Sequence, residues 1–141
     1  MTSIDFYFNA DDRMRLACRL AGKAIAQGRR LLVWAPLADS AQAIDRMLWT
    51  TPATGFVPHC MAHDALAAET PVLISAAATE PNGCDILLNL GVECPPSFER
   101  FDRLLEIVSR ADDDRESARR RYRFYRERGY PIADHDLAAS T

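Results

Sequence analysis

No apolar run in the 141 residues approaches the length of a membrane span; Leu31–Ala38 (LLVWAPLA) is typical of the longest, and a spanning helix needs about 20 such residues. The first residues, MTSIDFYF, lack a basic start and a small-residue cleavage site, so export is not expected and the cytoplasm is the expected compartment. The four cysteines, Cys18, Cys60, Cys84 and Cys94, form no dense framework and are expected to remain thiols in a reducing compartment. Glycine is scarce: there are six, none of them in Asn9–Arg13 or Ala35–Ser40, and no G-x-x-x-x-G-K-[ST] occurs. Without such glycines the backbone has no ready way to close on a pyrophosphate. The net charge of -3 argues against a protein that coats nucleic acid indiscriminately, although a local basic patch remains compatible with it.

What is present reads as alternating strands and helices. Ile4, Phe6 and Phe8 alternate with Asp5 and Tyr7, the pattern of a strand. From Asp11 to Gln27, Met14, Leu16, Ala17, Leu20, Ala21, Ala24 and Ile25 recur at helical spacing, and Gly28 is placed to end the helix. Arg30–Ala35 is a continuous apolar run, as in a strand covered on both faces. Asp39 or Ser40 can cap a second helix running to about Leu48. Pro52, Gly55 and Pro58 break the stretch that follows. Val72–Ser75 and Asp85–Leu90 read as buried strands, and Arg103–Val108 as a strand in a segment that fits both periods. The last helix begins at Asp112–Asp114 and stops at Gly129-Tyr130-Pro131. These elements predict an α/β fold, a mainly parallel β-sheet flanked by helices on both faces, Rossmann-like without a nucleotide site. Residues 1–130 are expected to form a single domain and residues 131–141 a loose C-terminal tail.

Candidate catalytic and metal centres are weak. His59, Cys60 and His63 lie close together, but Cys84 and Cys94 are ten residues apart across a strand, so the spacing does not suit a closed four-ligand zinc site. His59 and Cys60 are adjacent and point apart in extended chain, which does not suit a nucleophile and its base. Asp112, Asp113 and Asp114 are read as residues that favour a helix N-terminus, by roughly 0.3–1 kcal/mol per charge. No cofactor, metal or enzymatic reaction is expected.

The most distinctive segment is ARRRYRFYRERGYP, Ala118–Pro131. Seven arginines but only two glutamates, Glu116 and Glu127, fall between Arg115 and Arg128, leaving the segment at +5. On a helical wheel Ala118, Tyr122, Tyr125 and Gly129 share the face expected against the sheet. Arg115, Arg119, Arg123 and Arg126 form a stripe beside it, and Arg121 and Arg128 fall on the other flank. A solvated helix whose arginines lie over the core edge is the plain alternative, but such a face normally mixes signs. The stripe is therefore expected to meet an acidic partner. Guanidinium forks suit carboxylates and phosphates, and a neighbouring ring suits an apolar anchor. A short acidic peptide with an apolar end and a free carboxylate fits. Single-stranded nucleic acid, bound directly with a base stacked on Tyr122 or Phe124, is the alternative.

Three stretches resemble the chi subunit family of bacterial DNA polymerase III: IDFYF (Ile4–Phe8), LWTTPATGFVPH (Leu48–His59) and ARRRYRFYRERGY (Ala118–Tyr130). The resemblance covers nearly the whole chain. It implies a non-catalytic accessory subunit of the clamp-loader complex, with an α/β fold similar to nucleotide-binding domains. It implies two partners, the psi subunit and the acidic C-terminal tail of single-stranded DNA-binding protein, through which the replicase is linked to coated single strands; any DNA contact would be indirect. By position, Trp49 and Phe56 match the family's psi-contacting aromatics, for which ordinary core packing is the competing reading. Val108, Arg119, Tyr122 and Arg123 match its tail-binding positions. Arg119 is then the expected partner of the terminal carboxylate, Val108 and Tyr122 the walls of an apolar pocket, and Arg115 and Arg126 attractors of the tail's aspartates.

Overall fold

A computed structural model describes residues 1–50, 58–64, 66–76 and 83–138. In chain order the described strands and α-helices are β1 (Ser3–Ala10), α1 (Arg13–Ala26), β2 (Leu31–Trp34), α2 (Ala38–Thr50), β3 (His59–Met61), β4 (Val72–Ser75), β5 (Ile86–Asn89), β6 (Arg103–Ser109), α3 (Asp112–Glu127) and β7 (Ile132–Asp136). The strands form one sheet in the order β3-β4-β2-β5-β6-β1-β7, and every neighbouring pair is parallel. The α/β fold with a parallel sheet is thus as the sequence predicts.

The central strands are apolar throughout because both faces are covered. Leu31, Val33, Val72, Ile74, Ile86, Leu88, Leu105 and Ile107 pack with the buried residues of α1 and α2. Ile4, Phe6, Leu32, Leu73, Leu87, Leu104 and Val108 point the other way, towards Ala118 and Tyr125 of α3. The period of two along each strand sorts these sets.

Helix ends follow the local chemistry. The Asp12 carboxylate caps α1, accepting from the backbone N–H of Met14 at 3.0 Å and of Arg15 at 3.1 Å. A carboxylate thus already holds the helix start where a nucleotide fold would present free N–H groups to phosphate. At the other end Gly28 takes φ +72°, letting Gly28 N–H and Arg29 N–H reach back to the carbonyls of Ile25 and Ala24, both at 2.9 Å. Gly129 repeats the device after α3 at φ +80°, with Gly129 N–H on the Arg126 carbonyl and Tyr130 N–H on that of Tyr125.

Three local expectations are corrected. Helix α2 begins at Ala38 rather than being capped by Asp39 or Ser40; Ala41 N–H bonds to the Leu37 carbonyl, and Asp39 lies in the first turn, where its charge favours the helix. The strand β3 arises in a stretch that sequence gave no reason to pair. It has three residues, none β-branched, and its order comes from the ladder with β4. The largest correction concerns residues 132–136. They are not a loose tail but β7, paired with β1 over Ile4↔Ile132 to Phe8↔Asp136. Its composition, IADHD, has too little apolar content to announce a strand; side-chain contacts add to the ladder. His135 Nε2 lies 3.0 Å from Asp5 Oδ1, and its ring stacks on Tyr7 at 4.5 Å. Asn9 donates to Asp136 Oδ1 at 2.8 Å.

Candidate functional site

Helix α3 is fixed over β6 before any of its exposed side chains matter. Its acidic first turn is used as a clamp. Asp114 Oδ2 accepts from Ser109 N–H at 2.7 Å and faces Arg13 Nε at 3.7 Å, so the entry of α3 is tied to both β6 and α1. Further along, a polar network lies inside the core. Glu106 of β6 is fully buried and Arg121 only 3% exposed. Arg121 Nε donates to Glu106 Oε1 at 3.1 Å, and Tyr125 Oη donates to Glu106 Oε2 at 2.6 Å. Asn89 donates to both carboxylate oxygens at 3.1 Å. Arg121 Nη1 also donates to the Val92 carbonyl at 3.0 Å and to Ser117 Oγ at 2.7 Å. Burial pushes the Glu106 carboxyl up from its ordinary range, while Arg121, Tyr125 and Asn89 pull it back towards the charged form. Tyr125, raised by burial and then by Glu106, stays a phenol and a donor. Arg121 therefore belongs to the core and not to a basic flank. The wheel placed it away from Tyr122 but could not reveal the glutamate opposite it. Arg120, facing solvent, pairs with Glu116 at 3.8 Å, so two of the seven arginines have acidic partners among the described residues.

The other side of α3 is open. Val108, Arg115, Arg119 and Tyr122 surround one cavity of about 230 Å³, completed by Phe8 and Ala118. A second cavity of about 340 Å³ shares Phe8, Val108 and Arg115 and extends to Asn9, Ser109, Asp134 and Asp136. The two adjoin as one groove between α3 and β7. Its floor is apolar: Phe6 and Phe8 stack at 5.6 Å, and Tyr122 tilts against Phe6 at 5.0 Å and Phe8 at 6.3 Å. The ladder between β1 and β6 shifts register between Tyr7 and Ala10, where Asn9 takes φ +62°; asparagine tolerates that conformation. The irregularity lies beside Phe8 and Val108, at the floor of the groove.

Of the predicted acid-binding residues, the groove brings together Val108, Arg115, Arg119 and Tyr122. Arg123 and Arg126 are exposed on the same helix but do not line either cavity. Tyr122 Oη donates to Asp134 Oδ2 at 3.2 Å; partial burial and then that carboxylate push the phenol up, and it remains protonated. Sequence reasoning missed Phe8, which the alternation of β1 already pointed to the same face as Phe6. It also missed Asp134 and Asp136, because the segment carrying them was not expected to be ordered.

Trp49 stands apart, near the end of α2, and is 59% exposed. Its ring meets His59 edge-on at 4.9 Å, and His59 in turn lies 3.2 Å from Asp45. More than half of the residue thus lies outside the core. Phe56 lies outside the described residues. Among the described residues no three His, Cys, Asp or Glu side chains gather as metal ligands would, and no helix is long and apolar enough to cross a membrane.

Fold and groove together define a class: a parallel α/β domain whose first helix start is closed by its own aspartate, and which offers an amphiphilic groove beside its last helix. Within that class the chain belongs to the family described as DNA polymerase III chi subunit, HolC, whose sequence model matches residues 1–133. It is 41% identical to the DNA polymerase III subunit chi of Pseudomonas aeruginosa, over 97% of this chain and 98% of that protein. The proteins of the same description from Haemophilus influenzae and Escherichia coli are 28% and 29% identical, over 86% and 84% of this chain and 85% and 81% of their own lengths.

Proposed function

We propose that this chain is a non-catalytic accessory subunit of the polymerase III clamp-loader assembly that captures an acidic peptide ending in a free carboxylate, namely the C-terminal tail of single-stranded DNA-binding protein. The observation that carries this reading is the groove itself. An apolar floor of Phe8 and Val108 lies beside Arg115 and Arg119, with Tyr122 between. An apolar terminal side chain fits the floor, and a guanidinium at the rim suits the carboxylate next to it. Arg123 and Arg126 extend the positive potential along the helix and steer acidic residues towards the groove. The Trp49 face is the proposed site for the psi subunit: a large exposed indole at a helix end is the kind of anchor that dominates interfaces. Such a subunit works in the cytoplasm and links the replicase to coated single strands without chemistry of its own.

The test is fluorescence anisotropy with a labelled acidic peptide bearing a free carboxylate, its amidated form, and a labelled single-stranded oligonucleotide. Binding of the free acid, with a clear loss on amidation, is the expected result. Binding of the oligonucleotide alone would transfer the groove to direct nucleic-acid recognition.

A further inference from the structure

The groove has two walls of opposite sign. On one side stand Arg115 and Arg119 of α3; on the other stand Asp134 and Asp136 of β7. The parallel register places Asp134 beside Phe6 and Asp136 beside Phe8, and neighbours paired in this way share a face. Ile132, Asp134 and Asp136 therefore point towards α3, while His135 points to the opposite face and stacks on Tyr7. Both aspartates are held in place. Asp134 accepts from Tyr122 Oη, and Asp136 Oδ1 accepts from Asn9 at 2.8 Å and from Ala138 N–H at 3.0 Å. Fixed carboxylates facing an arginine stripe across an apolar floor make a selective site, because only ligands with charge on one edge avoid the repulsion.

We propose that Asp134 and Asp136 are specificity-determining residues: β7 is an acidic wall that excludes the phosphodiester backbone of a nucleic-acid strand from the groove while leaving the helix wall open to a single terminal carboxylate. This rests on the peptide-binding reading above. A nucleic-acid strand carries a charge at every nucleotide and relies on many phosphate contacts for its affinity. It cannot turn all of them towards α3. A peptide end can, because it presents one carboxylate and one apolar side chain at the groove and leaves its remaining acids to the exposed arginines.

The experiment compares the intact chain with Asp134→Asn, Asp136→Asn and the double variant. Asparagine keeps one acceptor oxygen for Tyr122, Asn9 and Ala138 N–H and removes the charge, the second oxygen becoming an amide NH2 of nearly the same size. Anisotropy is read with a labelled oligothymidylate and with the labelled free-acid peptide, after thermal melts confirm folding. The double variant is expected to gain about tenfold or more for oligothymidylate and about threefold or less for the peptide. Its oligothymidylate binding should also fall more steeply with salt. Equal gains for both ligands, or no gain for oligothymidylate, overturn the proposal. Should the double variant melt early, the two single variants decide the question on the same criterion. If the intact chain fails to bind the free-acid peptide, the peptide reading falls, and the oligothymidylate arm still judges the wall separately.

Discussion

Arg119 and Arg121 stand two residues apart on α3 and live in different media. Arg121 is buried against Glu106, with Tyr125, Asn89 and Ser117 completing the network. Arg119 lies exposed at the rim of a groove floored by Phe8 and Val108. One guanidinium orients the helix on the sheet; the other faces solvent at the edge of a cavity. The difference teaches that a run of arginines is not one feature. Its members are sorted by what the opposite element offers, a glutamate on β6 in one case and a phenylalanine on β1 in the other.

The sharpest way to break that comparison is Arg121→Ala. It would strand the Glu106 charge in the core, and removing one partner of a buried pair costs about 3–5 kcal/mol. Against a total of roughly 5–15 kcal/mol, the denaturant midpoint should fall steeply, and every binding activity should fall with it. A stability within error of the parent chain would mean that the buried network does not hold α3. Arg119→Ala should behave in the opposite way. Its folding stability should stay within about 0.5 kcal/mol, as for a surface change, while acid-peptide affinity drops by roughly 1.5–3 kcal/mol, the contribution of a charge-assisted bond. Raising the salt should erode the parent chain's affinity in the same direction. A loss of stability in Arg119→Ala as large as in Arg121→Ala would erase the distinction between the two.

The aromatic counterpart of the comparison sets Tyr125, fully buried, against Trp49, exposed on α2. Trp49→Ala should cost psi binding about 1 kcal/mol or more, measured by calorimetry, and leave acid-peptide binding unchanged. Loss of both activities together would place Trp49 among the residues that hold the fold.

Much of the fold is legible in the sequence. Apolar runs located β2, β4 and β5, alternation located β1, and Gly28 and Gly129 located two helix ends, because these signals are local; β6 reads as a strand in a segment whose pattern fits a helix as well. The groove was half legible. The helical wheel aligned Arg115, Arg119 and Tyr122, and the family resemblance added Val108, but the wheel had no means of finding Glu106 opposite Arg121, since that contact spans two elements. β7 was illegible for the same reason. Ile132–Asp136 is ordered by the Asp5–His135 and Asn9–Asp136 contacts across 130 and 127 positions of sequence, and no window of neighbouring residues contains both partners. The acidic half of the groove was hidden with it.

Arg128 tests the space between the two extremes. It is exposed like Arg119, yet its guanidinium carbon sits 4.2 Å from the centre of the Phe124 ring, so it has an internal partner as Arg121 does. A cation over a ring at an exposed site contributes about 0.5–1 kcal/mol, less than a buried ion pair because water still reaches the charge. Arg128→Ala should therefore shift the unfolding midpoint slightly and leave the groove's affinity for the acid peptide nearly intact, since Arg128 lines neither cavity. Arg128→Lys should retain part of that stability, because an ammonium keeps the charge but not the planar stacking. If Arg128→Ala instead weakened peptide binding as much as Arg119→Ala, the peptide would have to reach past the last turn of α3. The open arginines would then act as one continuous field rather than as a site with a defined end.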